Sequence, residues 1–290
     1  MDNFRGAAFM VLAMLGFAME DMLIKLMAVD LPVGQIVGML GLGSAMLVAG
    51  ILIAQGQPLF TRAMLTPAIG LRAIGELIGT LGFVTAIALT PLSSASAILQ
   101  ATPLFVTLGA ALFLQESVGW RRWSAILVGF IGVLLIIRPG MATFDWLSLF
   151  ALQGVIGLGI RDLATRRVPK ETSTLQLSFL AFLVLIPAAG VFMWINESSL
   201  VALSRSNWVY FAIATLIGIF AYYGIVAAMR IGEVSFVTPF RYSRIVFALI
   251  VGVFVFGERP DAWTLLGATI IVGSGLYTLW RERNVRANST

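Results

Sequence analysis

Cysteine and histidine are both missing from the sequence. Their absence excludes disulfides, thiolate nucleophiles, Cys/His zinc sites and histidine proton relays in one step. Any proton chemistry therefore falls to Asp, Glu, Lys or Tyr. Charge is also scarce: 11% of the 290 residues are Asp, Glu, Lys or Arg, against 59% hydrophobic. A soluble domain of this length needs charge over much of its surface. With a mean hydropathy of +0.97, most residues have lipid as their bulk solvent. No Gly-x-x-x-x-Gly-Lys-[Ser/Thr] loop occurs, which excludes ATP coupling within the chain. Neither a nucleophile–base pair nor a metal-ligand cluster can be picked out, so no enzyme activity, cofactor or metal is expected.

The net charge of +5 is basic, yet no stretch combines clustered Lys/Arg with interleaved aromatics. Nucleic acid is therefore not an expected partner. The basic excess belongs instead in cytoplasmic loops.

Ten windows reach the length of about 20 apolar residues that a membrane helix needs. They run over 6–27, 34–54, 68–89, 93–115, 120–138, 145–166, 173–195, 208–229, 234–256 and 262–281. Turn-like punctuation separates them, as at Asp30-Leu31-Pro32, Thr90-Pro91 and Arg259-Pro260-Asp261. The first window holds Glu20 and Asp21 and exceeds the usual ~7–15-residue core of a leader, so it reads as a helix. With the N-terminus in the cytoplasm, eleven loop Lys/Arg fall inside and three (Arg138, Arg205, Arg259) outside. That asymmetry places both termini in the cytoplasm of a bacterial-type inner membrane.

A shift of about 141 residues aligns the chain with itself. Gly16 and Asp21 fall on Gly157 and Asp162, and Glu20 and Lys25 on Arg161 and Arg166. Leu77-Ile78-Gly79 falls on Leu216-Ile217-Gly218, and Glu116 on Glu258. Five helices per half is an odd number, so the halves must cross in opposite senses. The expectation is an all-α integral membrane protein: ten transmembrane helices as two inverted five-helix repeats, 1–140 and 141–290, forming one membrane domain. Substrate sites in such architectures lie near the midplane between halves.

Ten short helices, the duplicated unit, and an apolar helix ending in Glu116 or Glu258 resemble the drug/metabolite transporter superfamily, EamA type. Ala101-Thr102-Pro103 resembles that family's fourth helix. The general look is similar to bacterial metabolite exporters, including amino-acid exporters of the YddG type. The second half departs from the pattern: Ile245, preceded by Arg244, stands where the first half has Pro103. The resemblance implies a transporter of small molecules in a lipid bilayer, as monomer or homodimer.

Ionisable residues at membrane depth are costly and face a partner or a cavity. Asp21 with Lys25, and Arg72 with Glu76, are spaced i,i+4 and can pair within one helix. Alternatively Glu20, Asp21 or Glu76 contacts a substrate ammonium or carries a proton, with Glu76 and Asp21 the leading coupling candidates. Arg161 and Asp162 read as a pair near a helix end. In Thr238-Pro239-Phe240-Arg241-Tyr242-Ser243-Arg244 two guanidiniums lie three residues apart in the ninth span. An Arg fork suits a carboxylate or phosphate. Arg244, close to the span's midpoint, is expected to be the principal anion contact, with Arg241 and Tyr242 beside it. Gln100 and Thr102 supply uncharged polar groups from helix four, and Tyr222 and Tyr223 aromatic walls from helix eight. Glu116 and Glu258 precede helix N-termini, whose free N–H groups favour a carboxylate. Gly34 with Gly38, and Gly75 with Gly79, are spaced for close helix contact.

Overall fold

Helices dominate because lipid leaves the backbone no partner but itself. The computed structural model describes residues 2–113, 119–141, 144–169, 171–231 and 237–287, and no strand occurs among them. In the first half α1 spans Asp2–Met27, α2 Val33–Ala54, α3 Pro67–Leu89, α4 Leu92–Leu99, α5 Thr102–Phe113 and α6 Trp120–Ile137. In the second half α7 spans Leu149–Thr165, α8 Thr174–Ile195, α9 Arg205–Ile231, α10 Ser243–Phe256 and α11 Ala262–Ala287. Eight segments are long and apolar enough to cross a membrane. Residues 123–137 and 262–278 form shorter apolar helices. Glu116 and Lys170 lie outside the described residues.

Proline sets the breaks. Pro91 confines Thr90 to extended backbone (φ −126°, ψ 169°), ending α3 and starting α4. The fourth window is one expected helix but two observed ones. Pro103 has no N–H to donate to the Leu99 carbonyl, and the Thr102 hydroxyl takes that carbonyl instead at 2.6 Å. The ninth window also differs from expectation. Thr238–Tyr242 is a 3-10 turn with Pro239 in its first turn, and the α-helix begins only at Ser243. Arg244 therefore sits in the first turn of α10, not at a helix midpoint.

The four most extensive helix pairings between the halves are α1 with α9, α3 with α7, α2 with α8, and α6 with α11. All four run antiparallel. On α3, for example, Gly75 meets Arg161, Gly79 meets Leu158 and Gly82 meets Gly154. On α2, Gly34 meets Met193 whereas Gly41 meets Leu185. The packing of α3 on α7 is the tightest: a Cβ on Gly157 would lie 2.2 Å from the Gly79 nitrogen. Large apolar side chains such as Ile53, Trp194, Leu216 and Phe254 are exposed on the outer surface, where lipid is their natural solvent. The core joins α1, α3, α4, α7 and α10 through Leu23, Ile87, Leu92, Ile98, Val155 and Ile245.

Gly157→Ala must force two backbones apart, and overpacking of this kind costs about 1–3 kcal/mol. The variant is expected to melt well below the parent in detergent. Gly190→Ala, with open space around the new methyl, should melt with the parent. Equal melting of the two variants would contradict the close packing.

Candidate functional site

A cavity of about 580 Å³ lies between the halves, lined from α1, α2, α3, α7, α8, α9 and the two broken helices. It reaches Thr165 and Arg166 at the C-terminal end of α7. Because α3 and α7 are antiparallel, the opposite end of the protein holds Thr90 and the C-terminal end of α1. Charged groups line the cavity in two clusters, one on each side.

The first cluster joins α3 to α7. Glu76 lies 3.8 Å from Arg72 and 3.3 Å from Arg161, and Arg161 also holds Asp162 at 2.8 Å. Arg72 further donates to the Leu177 carbonyl at 3.3 Å, and Thr80 donates to Glu76 at 3.3 Å. The i,i+4 pair expected from the sequence is present, but Glu76 is shared across the two halves.

The second cluster joins α1 to α10. Arg244 donates to both oxygens of Asp21, Nη2 at 2.7 Å and 2.9 Å and Nε at 3.2 Å. Its guanidinium lies against the Phe17 and Phe83 rings, 5.1 and 5.2 Å from their centroids. Asp21 is only 3% exposed. The guanidinium expected to be the principal anion contact is thus engaged by a carboxylate of the protein itself. Arg241, one turn earlier, also lines the cavity. Its side chain has no hydrogen bond or ion pair among the described residues, while its carbonyl accepts from Gln100 Nε2 at 3.2 Å. Gln100 and Arg241 are 141 residues apart, the offset of the internal repeat, so equivalent points of the two broken helices touch.

The other expected site residues divide. Thr102, Tyr222 and Tyr242 line the cavity. The Tyr242 hydroxyl is buried without a hydrogen-bond partner among the described residues, packed against Gly275. Tyr223 does not line it and is 65% exposed on the outer surface. Successive residues of an α-helix point about 100° apart, so Tyr222 and Tyr223 cannot both face inward. Lys25 lines no part of the cavity, and the expected pair with Asp21 does not form, because Asp21 is turned into Arg244.

Lys25 instead lies at the end of the protein opposite Arg166. Its ammonium donates to the Thr90 carbonyl at 2.5 Å and the Ile87 carbonyl at 3.1 Å, and lies 3.6 Å from Glu258 and 5.3 Å from the Phe256 ring centroid. Glu258 accepts from Leu92 N at 2.5 Å, Ser93 N at 2.9 Å and Ser93 Oγ at 2.7 Å. A carboxylate on helix N–H groups was expected, but of the helix that follows Glu258. The helix found there is α4, in the other half. Gly257 explains the difference: its positive φ of 64° turns the chain back, and Glu258 N donates to the Gly252 carbonyl. Gly252 has no side chain to block the carboxylate's path. Nothing local in the sequence signals this pairing across 165 residues, nor the aromatic contacts of Arg244.

Removing one member of a buried ion pair strands the other, at a cost of about 3–5 kcal/mol. Asp21→Asn is expected to lower the melting temperature sharply, and Asp21→Asn with Arg244→Gln to recover part of the loss. A double-mutant cycle showing no coupling would mean that the two side chains do not meet.

The EamA-like transporter family matches residues 4–138 and again 145–280. The S-adenosylmethionine uptake transporter of Rickettsia prowazekii (strain Madrid E) is 27% identical over 222 residues, 73% of this chain and 71% of that protein. The riboflavin transporter of Vibrio cholerae is 29% identical over 67% of each chain. The pseudopaline exporter of Pseudomonas aeruginosa is 25% identical over 92% of this chain and 93% of its own. A solved crystal structure shares the fold at a TM-score of 0.58 and 18% identity, over 94% of this chain and 98% of that one. With a family match in each half, this multi-pass membrane chain belongs to the EamA-like transporter family, whose relatives carry small metabolites.

Proposed function

We propose that the chain is a secondary transporter of small metabolites, amino acids foremost, working as exporter or exchanger by alternating access. In this reading residues 1–140 and 141–290 are inverted five-helix repeats in a bacterial inner membrane, with ten crossings and both termini cytoplasmic. Antiparallel packing of α2 on α8, and of α6 on α11, supports it. Each of those helices holds the same place in its own half, and equivalent helices lie antiparallel only when the halves are inverted.

The observation that carries the proposal is a cavity that reaches exposed residues at one end of the protein, while the other end is tied shut in this reading by an ion pair beyond it. The open end holds Thr165 and Arg166, on the side where the loop arginines concentrate. The seal is Lys25 and Glu258, which bind α1 and the α10–α11 turn to the start of α4. Breaking that seal while closing the Arg166 end exposes the same residues to the other side, which is what alternating access requires. A volume near 580 Å³ suits a small metabolite. Arg241 is the substrate carboxylate's contact, with Gln100, Thr102, Tyr222 and Tyr242 shaping the wall. Glu76, tied to Arg72 and Arg161, is a candidate for coupling. S-adenosylmethionine, carried by one set of relatives, itself ends in an amino-acid group.

A second reading keeps the fold and changes the cargo to an anionic metabolite or organophosphate. The Arg241 guanidinium, without an ion pair among the described residues, favours it, because a fork of donors fits phosphate as well as carboxylate.

Counterflow in proteoliposomes separates the readings. Amino acids inside the vesicle are expected to drive uptake of labelled amino acid. Arg241→Leu should melt as the parent does yet take up carboxylate substrates about tenfold more slowly or worse, given about 1.5–3 kcal/mol for a charged hydrogen bond. Counterflow with phosphorylated metabolites alone would establish the second reading. No counterflow with either class would overturn both.

A further inference from the structure

Among the described residues, two ionisable side chains of the cavity have no hydrogen bond or ion pair. One is Arg241. The other is Glu20, whose carboxylate has no hydrogen bond or ion pair among the described residues although it lines the cavity. Every other acidic group there is engaged: Asp21 by Arg244, and Glu76 and Asp162 by Arg161. Arg244 acts on Glu20 only through space, since its hydrogen bonds go to Asp21.

The position of Glu20 is also built. Its carboxylate occupies the space above Gly218 on α9, where a Cβ would lie 2.5 Å from Glu20 Oε1. Any larger residue at 218 would push the carboxylate away. Neighbouring Asp21 points a different way, into Arg244, because adjacent helix positions diverge by about 100°. A carboxylate held at membrane depth with no partner is costly, and that cost falls when a cation arrives. The cation this cavity fits is part of a molecule carrying both signs, since the unpartnered guanidinium of Arg241 lines the same space.

We propose that Glu20, seated in the Gly218 recess, is the cation subsite of the cavity, so that the preferred cargo carries an ammonium or similar cationic centre together with its carboxylate. The proposal rests on the transporter reading for its biological meaning and narrows that reading to zwitterions. It also separates two roles among the acidic residues of the cavity: Asp21 and Glu76 hold the protein's own arginines, whereas Glu20 is left for the ligand.

The test is thermal unfolding of the full-length protein in detergent, since a bound ligand raises the melting temperature by mass action. Three probes of one carbon skeleton are compared at equal ionic strength: L-leucine, 4-methylpentanoate without the ammonium, and 3-methylbutylammonium without the carboxylate. L-leucine and the amine are expected to stabilise the parent protein. Glu20→Gln should abolish the response to the amine and weaken L-leucine about ten- to a hundredfold, the range of a charged hydrogen bond. It should leave the response to 4-methylpentanoate unchanged. Gly218→Ala keeps the charge but shifts the carboxylate, and should weaken the amine in the same direction. An amine that fails to stabilise the parent, or that stabilises Glu20→Gln equally, overturns the subsite. Amine binding lost on Glu20→Gln, in a protein showing no counterflow, would keep the subsite and sink the transporter reading.

Discussion

The hydrogen bonds from the Arg244 guanidinium to the Asp21 carboxylate organise one wall of the cavity. An arginine and an aspartate at this depth are tolerable only because each neutralises the other and aromatic rings cover the remaining guanidinium face. The pair fixes α10 against α1 and fills the strongest cation with an internal partner. What is left over follows from it. Glu20, beside Asp21, and Arg241, three residues before Arg244, are left without a hydrogen bond or ion pair among the described residues. On the other wall Arg161 plays the corresponding part, consuming Glu76 and Asp162.

The second organising feature is close helix approach without side chains. Gly75, Gly79 and Gly157 let α3 and α7 touch backbone to backbone, which buries the first charge cluster where neither helix could bury it alone. In lipid such contacts rely on van der Waals packing, since the hydrocarbon is as apolar as the helices. The broken helices complete the site. Pro103 and Pro239 interrupt the regular ladder beside the cavity; Thr102 takes up the Leu99 carbonyl that Pro103 leaves without a donor, and Gln100 ties the first broken helix to the Arg241 carbonyl of the second.

Much of this was legible in the sequence, because lipid imposes strong one-dimensional rules. Segment length and the scarcity of charge mark eight of the ten expected spans as long apolar helices, and the self-alignment at an offset of 141 corresponds to the family match in each half. Pro103 and Pro239 mark the breaks, although not that Pro239 would leave a 3-10 turn and move Arg244 into the first turn of a helix. Individual charges were legible as unusual. The local pairs Arg72–Glu76 and Arg161–Asp162 were legible too, whereas the partners that meet across the fold were not. Asp21 and Lys25 are ideally spaced to pair on one helix, yet each finds a better partner elsewhere: Asp21 meets the Arg244 fork, and Lys25 meets two carbonyls and Glu258. Local spacing states which contacts are possible, and the three-dimensional competition among all charges decides which form. Tyr222 and Tyr223 show the same limit at smaller scale, since adjacency in sequence guarantees different directions on a helix.

In the proposed function the contacts of Lys25 and Glu258 connect the static arrangement to transport, because they join α1 and the α10–α11 turn to the start of α4 at the end of the protein away from Arg166. The native chain has no cysteine, so a single cysteine at Thr80, inside the cavity, reports access cleanly. The decisive measurement is the rate at which a membrane-impermeant maleimide labels Thr80→Cys from each side of oriented membranes, with Lys25 intact and with Lys25→Met. The expected result is labelling mainly from the cytoplasmic side while Lys25 is present, and a marked gain of labelling from the outer side once it is removed. Equal labelling from both sides in the presence of Lys25, or an outer rate unmoved by Lys25→Met, would contradict a cavity sealed by Lys25 and Glu258.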